Sequence, residues 1–378
     1  MKKSLALLAA ITAFTFCAPD AKAQIFSIRA LNYGGLNPGD PGYSTIKNLV
    51  DTELQKIQDE INDGLPSAPP ERLMEGMANS SVFAGKGVGT DYASNMKVML
   101  LGVGAGVGAD LAKSETGENG KKTISGVGIA PGLIIGANLG FMDTARILGM
   151  DTNRLNVFLN FASYNHKQNL SDKPGEESDA KLDMMAFGGH VRYDWIKGNG
   201  SKLLGWGGLK FNFGYQYNKT NILFNSRLNK EVNETTSSGD LVSGDVQGNP
   251  EAAINVATHS IPISLSTDIQ LLYILSLYTG VGVDYSWGEA RGKGNLNAEQ
   301  STLNCSGPGT GGSVCGTPRD IDVQASANID STGKVNPFTY RGFAGVQINL
   351  PFIRIFGQVD KSLGSDLVGA TAGLRFVY

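Results

Sequence analysis

From about Asn95 to the C-terminus the sequence alternates apolar with polar or small residues. Leu209, Phe211, Phe213, Tyr215 and Tyr217 alternate with Lys210, Asn212, Gly214, Gln216 and Asn218. Val281, Val283, Tyr285 and Trp287 do the same against Gly282, Asp284, Ser286 and Gly288, and Leu155, Val157, Leu159 and Phe161 form a third such run. A period of two puts the two sets on opposite faces of a β-strand. Counting such runs back from the end predicts ten strands, near 366–378, 352–361, 337–349, 270–289, 253–266, 204–226, 182–197, 152–166, 122–139 and 95–110. A further strand over 80–89, paired with one from the lead-in, would make twelve, the second choice.

The runs are long and their links are uneven. Leu203 to Phe224 is continuous, whereas strands of soluble proteins are usually about 5–6 residues long. Tight links are expected near Lys197 to Ser201, at Thr267–Asp268 and at Leu350–Pro351, and long ones over 167–180, 228–250 and 290–336. Tyr164, Tyr193, Trp195, Trp206, Tyr285 and Trp287 lie toward strand ends. Short turns at one end, long loops at the other and aromatic girdles are the layout of a transmembrane antiparallel β-barrel, whose apolar face meets lipid and whose polar face lines the lumen. The fold class expected is all-β.

Ahead of the strands the pattern changes. Residues 24–43 are rich in Gly, Pro and Asn and read as turns. Residues 44–64 read as an amphipathic helix, with Ser44 as cap and Ile46, Val50, Leu54, Ile57 and Ile61 on one face. A shorter helix is expected around Arg72 to Met77. The segment 24–94 is thus set apart from the barrel at 95–378, as a periplasmic piece, a plug or a strut. Lys2 and Lys3, the apolar run Leu5 to Phe16, and Ala21-Lys22-Ala23 before Gln24 have the form of a secretory signal peptide, residues 1–23.

Composition narrows the classes. Of 378 residues, 18% are charged and 41% hydrophobic. That charge fraction is low for a soluble domain, which carries about 25%. The net charge of -3 supplies no basic footprint for nucleic acid. Loss of the signal peptide removes three of 32 basic and one of 35 acidic residues, moving the net charge to -5. Cys305 and Cys315 then remain, in a loop rich in Gly, Ser and Thr. In an oxidising compartment they are expected to form a disulfide that stiffens the loop. Neither has a histidine close by in sequence, so no metal site is expected, and no cofactor either.

The last strand carries a resemblance. Ala370, Ala372, Leu374, Phe376 and Tyr378 share one phase, and Tyr378 is the final residue. This resembles the closing strand of Gram-negative outer-membrane β-barrel proteins, the porin-like class in general. The resemblance implies a C-terminal assembly signal at Leu374, Phe376 and Tyr378, recognition by the barrel assembly machinery, and residence in an outer membrane among lipid and lipopolysaccharide.

Candidate chemistry lies on the polar phase. Arg154, Arg192, Asp194, Lys210, Asp284, Arg341, Arg354 and Arg375 fall there, and charges at such depth must face the lumen or one another. Open, such a bore favours anions. Interlocked, it closes the barrel. His166, His190 and His259 are widely separated, so no catalytic residue is assigned, and His190 is expected to face inward beside Arg192 and Asp194. Gly102, Gly104, Gly106 and Gly108, with Gly126, Gly128, Gly132 and Gly136, leave a lumen face without side chains. No phosphate-loop lysine follows the first run, so the emptied volume is expected to hold something bulky, for which the 44–64 helix is the candidate. Three functions follow in order: a small-solute channel, a closed anchor that presents long loops to surface ligands, and a hydrolase.

Overall fold

In the computed structural model the described residues are 38–39, 43–44, 47–48, 51–52, 55, 70–93, 96, 98–113, 122–142, 146–147, 149–169, 178–200, 203–226, 228–235, 241–298, 301–306, 319–323 and 326–378. Ten long antiparallel strands follow one another: β1 (Met99–Lys113), β2 (Lys122–Asn138), β3 (Leu155–Asn169), β4 (Ser178–Gly200), β5 (Leu204–Ser226), β6 (Leu241–Leu271), β7 (Leu275–Ala298), β8 (Phe338–Asn349), β9 (Ile353–Ser362) and β10 (Leu367–Val377). Each pairs with the strand before and after it, and β10 pairs back onto β1 from Leu100↔Val377 to Asp110↔Leu367, so the ten form a ring. Short strands at Ser301–Ser306, Arg319–Val323 and Ser326–Lys334 extend the sheet where β6 and β7 outrun their neighbours.

The two ends of the ring differ. Three-residue links join β4 to β5, β6 to β7 and β8 to β9 at the turn end, which also carries the longer 139–154 link, while the 227–240 and 299–337 connections lie at the loop end. The β6–β7 turn lies at Leu272 to Ile274, with Leu272 and Tyr273 at φ 51° and 59°. Thr267 and Asp268 therefore belong to β6, not to a turn. The polarity of Asp268 suits a turn, yet it continues the inward phase of Ser264 and Ser266.

One helix stands inside the ring. Helix α1 (Pro70–Ala84) opens with a proline, whose missing N–H is no loss in the first turn. It ends where Gly87 takes φ +79°. It replaces both the short helix expected at 72–77 and the extra strand expected at 80–89. Gly76, Ser80 and Ala84 recur every four residues and form one face. That face lies against the glycines of β1 and β2: a Cβ on Gly106 would fall on the Ala84 carbonyl, one on Gly108 on the Ser80 carbonyl, and one on Gly126 on the Gly76 backbone. The emptied volume therefore holds α1 rather than the 44–64 helix. The described residues of that stretch, Tyr43, Ser44, Lys47, Asn48, Asp51, Thr52 and Gln55, are helical, and its apolar stripe lies outside the described residues.

The outer surface is apolar. Leu101, Val103, Leu133, Ile135, Leu159, Phe211, Val281 and Val359 are all exposed and stand on the outward phase of their strands. Monomeric soluble proteins rarely expose an apolar patch beyond a few hundred Å². The inward phase is polar and buried, with Asn212, Gln216, Ser264, Gln347 and Gln358 among its residues.

Candidate functional site

Residues 70–93 and Met96 run through the interior. At the loop end Arg72 pairs with Asp110 of β1 at 3.1 Å. Below it Met74, Met77, Ala78 and Val82 pack on Val256, Ala290 and Val335. The chain then leaves the helix and descends. Lys86 bonds Ser260 at 2.7 Å and pairs with Asp284 at 3.2 Å. Asp91 receives Arg375 at 3.1 Å, and the Asp91 carbonyl accepts from Arg192. Tyr92 packs on Phe343 at 4.6 Å between ring centroids and stacks on Tyr278. Met96 closes the turn end among Leu100, Ile134 and Phe158.

The wall charges interlock through this segment. Arg341 pairs with Asp284 at 3.1 Å and with Asp360 at 2.9 Å, both fully buried, and lies over the Phe343 ring. Lys210 pairs with Asp268, Arg192 with Asp194 at 3.3 Å, and Arg375 stacks 3.6 Å above Phe356 while donating to the Thr90 carbonyl. Desolvation makes such groups costly, and Arg341 and Arg375 are each held by more than one partner. Arg354 sits half-buried across from Arg375, and among the described residues no carboxylate lies within salt-bridge reach of it.

Seven of the eight sequence-predicted charges thus belong to strands of the ring, and Arg154 does not. It lies in a short 3-10 turn before β3, where it reaches Asp151 at 3.6 Å and the Trp195 carbonyl at 3.2 Å. The turn shifts the start of β3 past it, so the strand's alternation does not govern its direction. Sequence reasoning missed Lys86, Asp91, Asp268 and Asp360. The two wall acids carried a signal, since both share the polar phase of their strands. The two plug residues carried none, because irregular backbone has no period.

His190 is buried and lies 3.3 Å from the Gln216 amide. His259 points outward, parallel to the Trp287 ring at 5.1 Å and 2.8 Å from the Tyr215 hydroxyl. His166 lies near Tyr164, far along β3. Cys315 lies outside the described residues, as does the side chain of Cys305, and with them the expected disulfide. Leu374, Phe376 and Tyr378 end the strand that closes the ring, and the Tyr378 backbone bonds Met99 at 3.0 Å.

Beneath Met96 a cavity of about 510 Å³ opens at the turn end, lined by Asp194, Lys197, Asn199, Trp206, Gln270 and Tyr273. It leads up to the plug.

The profile of the Lsa36-like family matches residues 20–378. The chain belongs to the Lsa36-like family. No curated protein matches the sequence. Among solved structures, this Lsa36-like chain is similar to the translocator domain of the autotransporter NalP from Neisseria meningitidis, with 10% identity over 90% of this chain and 100% of that one, at a TM-score of 0.27. It is also similar to the toluene transporter TbuX of Ralstonia pickettii, with 9% identity over 81% and 99% and a TM-score of 0.22. A FadL homologue of Pseudomonas aeruginosa gives 8% identity over 81% and 99%, with a TM-score of 0.24. Likeness at these scores carries no argument about what the Lsa36-like chain transports or binds.

Proposed function

We propose that this protein is a transmembrane β-barrel of a Gram-negative outer membrane, in the class of small-solute channels, held shut in the present state by residues 70–96. The carrying observation is that a polar-lined interior is occupied by a separate stretch of chain rather than by the side chains of the wall. Displacing that stretch leaves a bore lined by Asn, Gln and Ser, reached from the turn-end cavity. The exposed apolar band supports the membrane setting, because only lipid relieves the exposure of so many large side chains. The 1–23 segment is assigned to export, and Leu374, Phe376 and Tyr378 to recognition by the assembly machinery. Lipid and lipopolysaccharide then surround the band. The division at 94 moves slightly, because residues 70–96 act as the plug.

With the plug gone, the wall retains Arg192, Lys210, Arg341, Arg354 and Arg375 against Asp110, Asp194, Asp268, Asp284 and Asp360. The two signs balance, so the emptied bore has no net charge with which to select ions. Single-channel conductance in a planar bilayer tests the reading: the full chain should be silent, and a chain lacking residues 70–90 should conduct, with little ion selectivity. Silence in both supports a second reading, an anchor that presents long loops to surface ligands. The interlocked charges favour that second reading, in which a Cys305–Cys315 disulfide would stiffen the 299–337 loop.

A further inference from the structure

The wall is not evenly sewn. β3 pairs with β4 along its whole length, from Leu155↔Tyr193 to Asn169↔Asp179, but with β2 only from Leu133↔Phe161 to Asn138↔Asn156. Beyond Leu133, β2 runs on to Lys122, still paired with β1. Among the described residues nothing pairs with its other edge, nor with the β2-facing edge of β3 from Ala162 to Asn169. Pro131 stands two residues past the last pair. Its missing N–H suits a free edge, and the β1 ladder runs on through it. Tyr164, inward by phase, is 45% exposed, so the β3–β4 hairpin departs from the wall there.

Behind this seam lies a small apolar pocket of about 60 Å³. It touches Val127 and Ile129, on the outward phase of β2 beside Val107 of β1, and also Leu182 and Met184, on the inward phase of β4, with Met77 of α1. A pocket that meets outward side chains of one strand and inward side chains of another passes through the wall. Its mouth continues the exposed apolar band, which includes Val107, Leu133 and Phe161.

We propose that this seam is a lateral slot for the acyl chain of a membrane lipid, whose end lies between α1 and β4. The inference rests on the membrane reading above. Lipid is the occupant because the mouth is flanked by the apolar surface that meets lipid, and no charged side chain lines the pocket. The present volume equals that of about two waters, so a chain end fits only when Met77 and Met184, unbranched and adaptable, swing aside.

The native protein, reconstituted in phosphatidylcholine vesicles that carry a diazirine at the acyl terminus, tests this by irradiation and peptide mapping. Adducts are expected on Met77 or Met184 as well as on band residues such as Leu133 and Val281. A Met184→Trp variant, which fills the pocket, should lose the interior adducts several-fold and keep those on the band. Adducts confined to the band overturn the slot and leave the membrane reading intact. No adducts on the band overturn the membrane reading, and the slot with it.

Discussion

The plug is held in two different ways along its length. In the loop-end half, α1 meets the ring through backbone laid on glycine and through Met and Val side chains. In the turn-end half, residues 85–96 meet it through Lys86, Asp91 and the buried arginines. Displacing close-packed apolar side chains loses contacts but strands no charge. Displacing a buried ion pair costs more, because a charge that leaves its partner in a water-poor interior is stranded. The lower half therefore acts as the latch, and the helix as a fitted stopper above it.

Removing one latch charge gives the largest effect. Asp91→Ala leaves Arg375 buried without its carboxylate, and breaking a buried pair costs about 3–5 kcal/mol. The expected outcome is a lower denaturant midpoint in detergent together with conductance in bilayers. Adding Arg375→Gln should restore most of the midpoint, since the stranded charge is gone. No recovery in that double-mutant cycle would deny the pair its role.

Crowding the stopper tests the other half. Gly126→Val drives a side chain into the Gly76 backbone, an overpacking that costs about 1–3 kcal/mol. The ion pairs below are untouched, so hydrogen exchange should rise in α1 while the bilayer stays silent. Conductance equal to that of Asp91→Ala would erase the distinction between latch and stopper.

A smaller change supplies the control. Leu272 and Tyr273 hold left-handed backbone that suits Asn and Gly. Replacing the pair with Leu272→Asn and Tyr273→Gly should stabilise the protein by about 1 kcal/mol, read as a raised midpoint, with no change in conductance.

These contrasts also show why the ring was legible in the sequence and the plug only half so. Alternation such as Leu209 to Asn218 states strand, phase and lumen face together, because each strand meets the same two surroundings along its whole length. Ten strands and the inward arginines follow from it. The glycines of β1 and β2 announced an occupant but did not identify it. Its signature, Gly76, Ser80 and Ala84 at intervals of four, is weak in helix propensity and has no large apolar stripe, so the more strongly patterned 44–64 segment attracted the assignment. Arg154 shows the converse limit: one 3-10 turn ahead of a strand cancels the phase on which its placement depended.

The direction of the plug supplies the mildest test, one that leaves stability untouched. α1 begins at the loop end, where Arg72 meets Asp110, and the chain then runs down the interior to Met96 before β1 starts at the turn end. With the loops facing outward, Pro70 marks the outer mouth, and the chain reaches its first strand by passing inward through its own ring. Glu71 is exposed at that mouth. In a background of Cys305→Ser and Cys315→Ser, Glu71→Cys should react with a membrane-impermeant maleimide on intact cells. Leu350→Cys, at the turn end, should react only after the outer membrane is permeabilised. The opposite pattern would invert the protein in the membrane and place stopper and latch on the other sides, while equal labelling at both sites in intact cells would mean that no bilayer separates the two ends.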